Sequence, residues 1–347
     1  MANPKSRSQP TINDVAAKAG VSKKTVSRVI NRSPLLAEAT REKVENAIRT
    51  LGFVPNPQAR ALALRRNFLI VLLHDNPNAQ TVLNFQTGVL NAIKESDLAL
   101  VVRPVQRNSN DILHDVRTFL EKQRPLAAML LPPISERDDL AELCKELGVR
   151  YVRIGSAILD GIDNCVASND QEVVRKACAT LIERGHKTIG FVRGPKGFRS
   201  ALERETGFLA AIADAGINFD KKLAAEGNYR FESGVTAGTK LLSQQPRPTA
   251  IFASNDEMAA GVLHAARSKG IAVPEQLSII GFDDSPTASH IWPPLSTVRW
   301  PITEMGELAA RKLVPEFLPE RDDAELPTIL ESTFIDRMSV ADVPLDN

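Results

Sequence analysis

The apolar positions near the N-terminus follow helical spacing in three short successive segments. Their spacing of three and four residues places each set on one face of a helix. These sets are Ile12, Val15, Ala16 and Ala19; then Val26, Val29 and Ile30; then Val44, Ala47, Ile48 and Leu51. Thr11 and Asp14 have the spacing of a capping box, Ser22 can cap the second helix, and Gly20 and Gly52 end the first and third. The pattern predicts a helix-turn-helix.

The next segment, residues 55–67, has the composition of a linker. Pro55 and Pro57 stop the third helix, and Asn56 can cap a short new one with Pro57 in its first turn. The stretch "QARALAL" favours helix, but it is far shorter than the roughly 12–15 residues that an isolated helix needs for even marginal stability. We therefore expect it to become helical only when something holds it.

From residue 68 onward, short apolar runs alternate with helical stretches. The apolar runs are "FLIVLLH", "LALVV", "LAAMLLP", "YVRIG", "TIGFVRG", "TAIFASN" and "LSIIGFDD". The helical stretches between them are 80–96, 109–123, 136–147, 170–185, 200–215, 232–244 and 256–270. Runs that are apolar throughout are typical of parallel strands covered on both faces by helices. Their number predicts an α/β core of two doubly wound parallel-sheet subdomains.

Charge divides the chain in the same place as the pattern does. Residues 1–66 hold 13 Lys and Arg against 4 Asp and Glu, a net charge of +9, and the remainder carries −8. A basic segment on an acidic body indicates a module that binds a polyanion, although a basic disordered tail would have the same charge. No apolar run approaches the ~20 residues of a membrane span. The first residues also lack the apolar region of a secretory signal, so we expect a cytoplasmic protein without a membrane role.

Metal and cofactor chemistry finds little support in the sequence. The three cysteines are Cys144, Cys165 and Cys178, and they show neither a CxxC spacing nor an even number. The five histidines likewise show no metal-binding spacing. We expect no disulfide framework, no metal site and no cofactor.

The second helix carries the candidate chemistry of the N-terminal segment. With Val26 and Val29 facing inward, Lys24, Arg28 and Asn31 fall on the opposite face, and Lys23 lies at the helix N-terminus. Lysine and arginine can donate to guanine O6 and N7, and asparagine can pair with adenine. A solvated helix face is the alternative, but such a face usually includes acidic residues, and none occurs between Asp14 and Glu38.

These residues and several later motifs resemble the lactose-repressor (LacI/GalR) family of bacterial transcription regulators. The stretch "TINDVAAKAGVSKKTVSRVINRSPLLAEATREKVENAIRTLGFVPNPQARALA" is similar to the DNA-binding head of the family. The similarity continues through "LIERGHKTIGFVRGP", "RETGF", "AIFASNDEMAAGVL", "LSIIGFDDSPTAS" and "PPLSTVRWP". The resemblance implies a helix-turn-helix head, a hinge helix, a core like that of type I periplasmic sugar-binding proteins, dimerisation and control by a small molecule.

On this basis we expect three regions. Residues 1–54 form the head, 55–67 the hinge, and 68–347 the effector-binding and dimerisation core. Within the core we expect an N-subdomain of about 68–166 and 299–327 and a C-subdomain of about 167–298 and 328–342. The C-terminal "FIDRMSVADVPLDN" has no apolar heptads, which argues against a helical tetramerisation tail and leaves a homodimer.

The resemblance also implies which residues contact DNA. We expect Lys23, Lys24 and Arg28 to read bases, and Leu62 to insert into the minor groove, where an apolar wedge unstacks a base step. The full set of expected DNA contacts is Thr11, Ser22, Lys23, Lys24, Thr25, Ser27, Arg28, Asn31, Asn56, Arg60 and Leu62. Without the resemblance, Leu62 reads as a packing residue of a short helix. One departure is Ala37, which stands where many members have a serine or threonine that caps the third helix.

In the core, the positions that match effector contacts are Arg204, Asn255 and Asp283. Their forked donors, amide and carboxylate suit the hydroxyl groups of a sugar, at the strand ends where α/β ligands bind. Another departure is Gly155, where some members have a sugar-binding aspartate. The expected effector contacts are Asp75, Asn76, Phe85, Asp170, Arg204, Tyr229, Asn255, Asp283 and Trp292, with Phe198 a further aromatic candidate. A lone aromatic residue is more often part of a core.

The sequence therefore predicts a transcription regulator and not an enzyme. GxSxG, P-loop, HExxH and GxGxxG motifs are all absent. We expect a repressor of carbohydrate-utilisation genes that binds a pseudo-palindromic operator in double-stranded DNA. Its affinity is expected to depend on a sugar or oligosaccharide in the core cleft. The alternative is a sugar-binding or transport-type protein without a DNA role, which would leave the basic head unexplained.

Overall fold

A computed structural model of the protein describes residues 10–30, 36–54, 67–319 and 326–343. The chain divides into two compact units, residues 1–68 and residues 69–347. Within the described ranges, the first unit contains helices and the second contains two β-sheets together with further helices.

The described residues of the first unit contain three helices: α1 (Ile12–Ala19), α2 (Lys23–Ile30) and α3 (Glu38–Leu51). They confirm the three helices that the apolar spacing predicts. Their buried side chains are Val15, Ala16, Val26, Val29, Val44 and Ala47, two from each helix. Gly20 ends α1 at a φ of +65°, a left-handed conformation that glycine adopts without steric cost, and it thereby makes the tight turn into α2.

The helix starts follow the predicted capping. The backbone amide and the hydroxyl of Thr11 both donate to the Asp14 carboxylate, at 2.7 Å each. These bonds lower the pKa of Asp14. The Ser22 hydroxyl accepts from the Thr25 amide at 3.1 Å and so caps α2. Ala37 precedes α3 without a side-chain cap, as its methyl group requires.

The second unit alternates strands with helices. Its strands are β1 (Leu69–His74), β2 (Ala99–Pro104), β3 (Ala127–Leu130), β4 (Arg150–Gly155), β5 (Cys165–Ser168), β6 (Ile189–Val192), β7 (Ala224–Ala225), β8 (Ala250–Ala253), β9 (Ser278–Asp283), β10 (Ser296–Arg299), β11 (Ile329–Leu330) and β12 (Thr333–Ile335). Its helices are α4 (Ala79–Ile93), α5 (Ile112–Gln123), α6 (Asp138–Glu146), α7 (Asp170–Glu183), α8 (Arg199–Asp214), α9 (Phe231–Leu241), α10 (Asp256–Ser268), α11 (Pro286–His290) and α12 (Ile302–Leu313).

The strands form two six-stranded sheets of the same design. The orders are β11-β5-β4-β3-β1-β2 and β12-β10-β9-β8-β6-β7. Both contain the 2-1-3-4-5 order of doubly wound folds, in which ligands bind beyond the carboxyl ends of the strands. We call the first sheet with α4–α6 and α12 the first lobe, and the second sheet with α7–α11 the second lobe. The central strands are buried on both faces, which explains their continuous apolar sequences.

The last strands differ from the sequence prediction. Ile329–Leu330 was expected in the C-subdomain, but it pairs in parallel with β5 of the first sheet. Only Thr333–Ile335 joins the second sheet, where it lies antiparallel to β10. Strands of two or three residues are too short for hydrophobic periodicity to reveal. The sequence therefore could not show that the chain returns to the first sheet at β11 before it joins the second at β12.

Candidate functional site

The exposed face of α2 is the candidate site of the helical unit. Lys23, Lys24 and Arg28 are exposed, while Val26 and Val29 on the opposite side are buried. None of the three cations forms an ion pair with another residue in the described ranges, so their charges face solvent. The arrangement matches the face that the helical spacing predicts.

Smaller polar groups surround this face. The Ser22 and Thr25 hydroxyls lie 2.9 Å apart at the start of α2, and Ser27 is half-buried. The Thr11 hydroxyl is bonded to Asp14 at the start of α1. These hydroxyls order the helix starts, and their phosphate contacts stay a prediction. Four other expected DNA contacts lie outside the described residues: Asn31, Asn56, Arg60 and Leu62.

A cleft between the two lobes is the candidate site of the second unit. The space between the lining residues, including the open mouth of the cleft, is about 450 Å³. Its lining residues are Asn76, Pro77, Asn78, Thr81, Pro132, Ser156, Phe198, Ser200, Arg204, Tyr229, Asn255, Asp283 and Trp300. Several of them follow directly after the carboxyl ends of parallel strands, as the fold predicts.

Arg204 is the buried centre of the cleft. Only 3% of this residue is exposed. Its Nε donates to Asp170 Oδ2 at 3.0 Å, and its Nη1 donates to the Ser254 carbonyl at 2.6 Å. The guanidinium carbon lies 3.5 Å from the centre of the Phe282 ring. These contacts fix the guanidinium at the base of the cleft and use part of its donor capacity.

Asp283 occupies the end of β9 in an unusual backbone conformation. Its φ is +115°, a region that residues with a side chain rarely adopt and that is often found at functional sites. Burial raises the pKa of Asp283, although the neighbouring Arg204 opposes the shift. Asn78 Nδ2 of the first lobe donates to Asp283 Oδ2 at 3.3 Å. The strained backbone thus places a desolvated carboxyl group against both Arg204 and the opposite lobe.

Asn255 and Tyr229 form a connected pair in the second lobe. The Asn255 side chain accepts from the Met258 amide as the cap of α10, and it donates to the Tyr229 carbonyl at 3.0 Å. Tyr229 itself has a φ of +66°, and its hydroxyl lies 2.9 Å from that of Ser200. Asn255 therefore positions the tyrosine as well as lining the cleft.

Other predicted contacts are placed differently by the structure. Phe85 is fully buried within α4 and does not line the cleft, and Trp292 is 66% exposed away from it. Asp75 accepts from the Arg107 amide, and Asn76 lines the cleft but is bonded to the Pro132 carbonyl. Periodicity does not indicate which lone aromatic faces a ligand, and this explains the misplacement of Phe85 and Trp292.

Asp170 supports the cleft from behind. It is completely buried and outside the cleft lining, and its Oδ1 accepts from the Ser168 hydroxyl at 2.5 Å. That hydroxyl in turn accepts from Trp300 Nε1 at 2.9 Å. Ser168 ends β5 and Trp300 follows β10, and after each of these strands the chain passes into the other lobe. The chain of contacts therefore links Arg204 to two connections between the lobes.

Sequence reasoning missed several lining residues: Pro77, Asn78, Thr81, Pro132, Ser156, Ser200 and Trp300. Most of them belong to the first lobe or to a segment where the chain passes from one lobe to the other. The Ser156 hydroxyl is buried and, within the described part of the chain, has no hydrogen-bond partner. Its place directly after β4 was the available signal, because ligands bind at such strand ends.

Contacts on the rim hold the two lobes together. The Arg107 guanidinium of the first lobe lies 4.3 Å from the ring centre of Phe198 in the second. Glu136 of the first lobe accepts from the Arg199 amide, at the start of α8, at 3.0 Å. We call these two contacts the rim latch. Together with the Asn78–Asp283 bond, the rim latch keeps the cleft narrow.

Comparison with known proteins agrees with both units. Residues 11–56 match the family model described as bacterial regulatory proteins, lacI family, and residues 178–340 match a periplasmic binding protein-like domain. The regulator CelR of Thermobifida fusca is 34% identical over 326 residues, which are 90% of this chain and 94% of CelR. The chain belongs to the lacI family of bacterial regulatory proteins.

Other members of the lacI family match over nearly the full length. The probable repressor ExuR of Bacillus subtilis is 34% identical over 336 residues, 95% of this chain and 98% of that one. A solved complex of CelR with cellobiose superposes with a TM-score of 0.69 at 32% identity, covering 95% of this chain and 99% of that one. These relatives confirm a lacI-family transcriptional regulator with a helix-turn-helix and a two-lobed α/β core. Among the described residues, no helix is long and apolar enough to cross a membrane.

Proposed function

We propose that the protein represses carbohydrate-utilisation genes and that a sugar-like effector in the cleft controls its affinity for the operator. The observation that carries the proposal is the cleft itself. It lies at the carboxyl ends of both sheets and combines Arg204, Asn255 and Asp283 with aromatic walls. The relative CelR, solved with cellobiose, supports a sugar as the ligand class.

The DNA side of the proposal rests on α2. Two copies of the chain read a pseudo-palindromic operator as a homodimer, and each inserts α2 into a major groove. Lys23, Lys24 and Arg28 contact base edges there, while the hydroxyls near the helix starts bind phosphates and fix the register. Leu62 enters the minor groove between the two half-sites.

Control follows from the two lobes. An effector changes operator affinity only by as much as it favours one lobe arrangement over another. Its binding in the cleft shifts the lobes and, through them, the segments that lead to the DNA-binding helices. We place this activity in the cytoplasm and assign no catalytic step to it.

The DNA proposal is tested with the full chain and an operator selected from random sequence. Lys24→Gln replaces the charged ammonium donor by an uncharged amide and is expected to weaken specific binding by about 1–3 kcal/mol and to change the base preference at one position. Lys94→Gln, in the α/β unit, is the matched control and is expected to leave binding unchanged. Equal losses for both variants would contradict the role of Lys24.

Leu62→Ala tests the minor-groove contact in the same assay. It is expected to weaken specific binding much more than non-specific binding, because only the specific complex is bent. The alternative function, sugar binding or transport without a DNA role, predicts no sequence-selective DNA binding by the full chain. The comparisons offer no support for that alternative.

A further inference from the structure

The cleft has an unusual balance of charge for a ligand site. Of its lining residues, all of which belong to the described part of the chain, only Arg204 is cationic and only Asp283 is anionic. The other lining residues are aromatic, proline, amide or hydroxyl side chains. The partners of Arg204 therefore decide whether the cleft offers a positive charge to a ligand.

The positive charge of Arg204 is already shared by two carboxyl groups. Asp170 Oδ2 lies 3.0 Å from its Nε, and Asp283 Oδ1 lies 4.0 Å from its Nη1. The Ser254 carbonyl accepts a further bond, and the Phe282 ring covers one face of the guanidinium. With Asp283 ionised, the three side chains carry a net charge of −1, and with Asp283 protonated they carry zero. In neither state does the cleft hold an uncompensated cation.

Two further cations lie near the rim, outside the lining of the cleft. The Arg107 guanidinium lies 4.3 Å from the centre of the Phe198 ring, and its charge opposes the rise that burial causes in the pKa of Glu136. Arg199 Nε is 2.6 Å from Glu203 Oε1. An anionic ligand that passes the rim therefore loses its hydration inside the cleft, where the Arg204 cation is already shared by two carboxyl groups.

The groups that remain free suit a neutral polyol. Ser156 is 5% exposed and has an unpartnered hydroxyl, and the Asp283 side chain keeps 14% of its surface accessible. The rings of Phe198, Tyr229 and Trp300 add flat apolar surfaces. A molecule with hydroxyl groups on its edges and apolar C–H faces satisfies both kinds of surface.

We propose that the cleft takes an uncharged hydroxyl-bearing saccharide and rejects its carboxylate and phosphate derivatives. This inference rests on the proposed function, since it defines the charge of the effector for that same cleft. It separates this chain from any regulator whose effector is a uronate or a sugar phosphate.

The test uses the full chain and sets of saccharides in which the neutral and anionic members share the same sugar rings and differ at one substituent. Thermal stabilisation and the change in operator affinity are measured with D-glucose, D-glucuronate and D-glucose 6-phosphate, with D-galactose and D-galacturonate, and with cellobiose and cellobiouronate. We expect the neutral member of a set to bind, and its anionic partners to bind at least about a hundredfold more weakly. An anionic saccharide that binds as tightly as its neutral partner, or more tightly, overturns the inference but leaves the proposed function intact. A response to none of the saccharides contradicts the proposed function and the inference with it.

Variants test whether the charge balance itself is the cause. Asp170→Asn removes the carboxylate that pairs with Arg204, and it is expected to reduce the ratio of neutral to anionic saccharide affinity by about tenfold or more. Asp163→Asn removes the same charge at the opposite end of β5 and is expected to leave the preference unchanged. Ser200→Lys adds a cation to the cleft without breaking a buried pair, so it serves if Asp170→Asn does not fold. An unchanged preference in the folded variants would overturn the inference.

Discussion

Replacing Arg204 by methionine removes the cation that pairs with the fully buried Asp170. Asp170 has no exposed surface, and the remaining hydrogen-bond donor to its carboxylate among the described side chains is the Ser168 hydroxyl. An ionised carboxylate left in this position keeps the unfavourable free energy of desolvation but loses the ion pair that offsets most of it. Breaking a buried pair in this way costs about 3–5 kcal/mol. Methionine keeps much of the volume, and its sulfur can rest against the Phe282 ring, so cavity formation adds little to this figure.

A double variant separates the charge effect from the loss of packing. Arg204→Met with Asp170→Asn removes both charges of this buried pair, so we expect most of the lost stability to return. Both proteins lose the effector response, because both lack the guanidinium that lines the cleft. Only the single variant is therefore expected to be unstable.

Tryptophan fluorescence during urea unfolding provides the assay. The chain has two tryptophans, and Trp292 is already exposed in the folded protein. The signal change on unfolding therefore comes chiefly from Trp300, which donates to Ser168 beside the buried pair. Linear extrapolation gives the free energy of unfolding of each variant. A loss below about 1 kcal/mol in the single variant, or a double variant as unstable as the single one, would refute this reasoning.

Three further predictions concern other parts of the α/β unit. Burial lowers the pKa of His186, so the neutral imidazole stabilises the folded state fully above the ordinary pKa of about 6.5, and this stabilisation is lost as the pH falls. Between about pH 7.5 and about pH 5.5, the free energy of unfolding of the unmodified protein should therefore fall more than that of His186→Gln. A Cβ at Gly88 would lie 1.8 Å from the Thr303 carbonyl oxygen, so Gly88→Ala should destabilise by about 1–3 kcal/mol in urea, whereas Gly161→Ala, with open space, should not. Glu136→Ala removes an acceptor of the rim latch and should weaken effector binding several-fold in calorimetry, whereas Glu136→Gln keeps an acceptor and most of the affinity. Equal effector affinities in the two variants would show that the rim latch does not contribute to effector binding.

The elements that the sequence predicted well are those with local causes. The helices α1 and α2 follow from apolar spacing, and their starts follow from Thr11 with Asp14 and from Ser22, all within four residues of their partners. The buried strands follow from continuous apolar runs. The exposed cations of α2 follow from the same helical geometry.

The cleft could be predicted only in part, because its geometry depends on distant residues. Arg204, Asn255 and Asp283 were proposed through the family resemblance, and the structure brings them into one cleft. Asn78 meets Asp283 across 205 positions in the chain, and no local pattern predicts such a pairing. Trp300, directly after β10, lines the cleft, whereas Trp292, before the same strand, does not.

The Asn78–Asp283 bond determines what an effector must do when it enters the cleft. Asn78 Oδ1 caps α4 through the Gln80 and Thr81 amides, so the residue is anchored in the first lobe while its Nδ2 reaches the second. A ligand hydroxyl that donates to Asp283 competes with this amide for the same carboxyl group. Binding therefore weakens one direct tie between the lobes and replaces it with contacts through the ligand. The free energy that can move the lobes is the difference between these two sets of contacts, not the total affinity. A saccharide that bonds to Asp283 without also reaching Ser156 on the first lobe would consequently bind without restoring the tie. Such a ligand is expected to occupy the cleft while changing operator affinity less than one that reaches both residues.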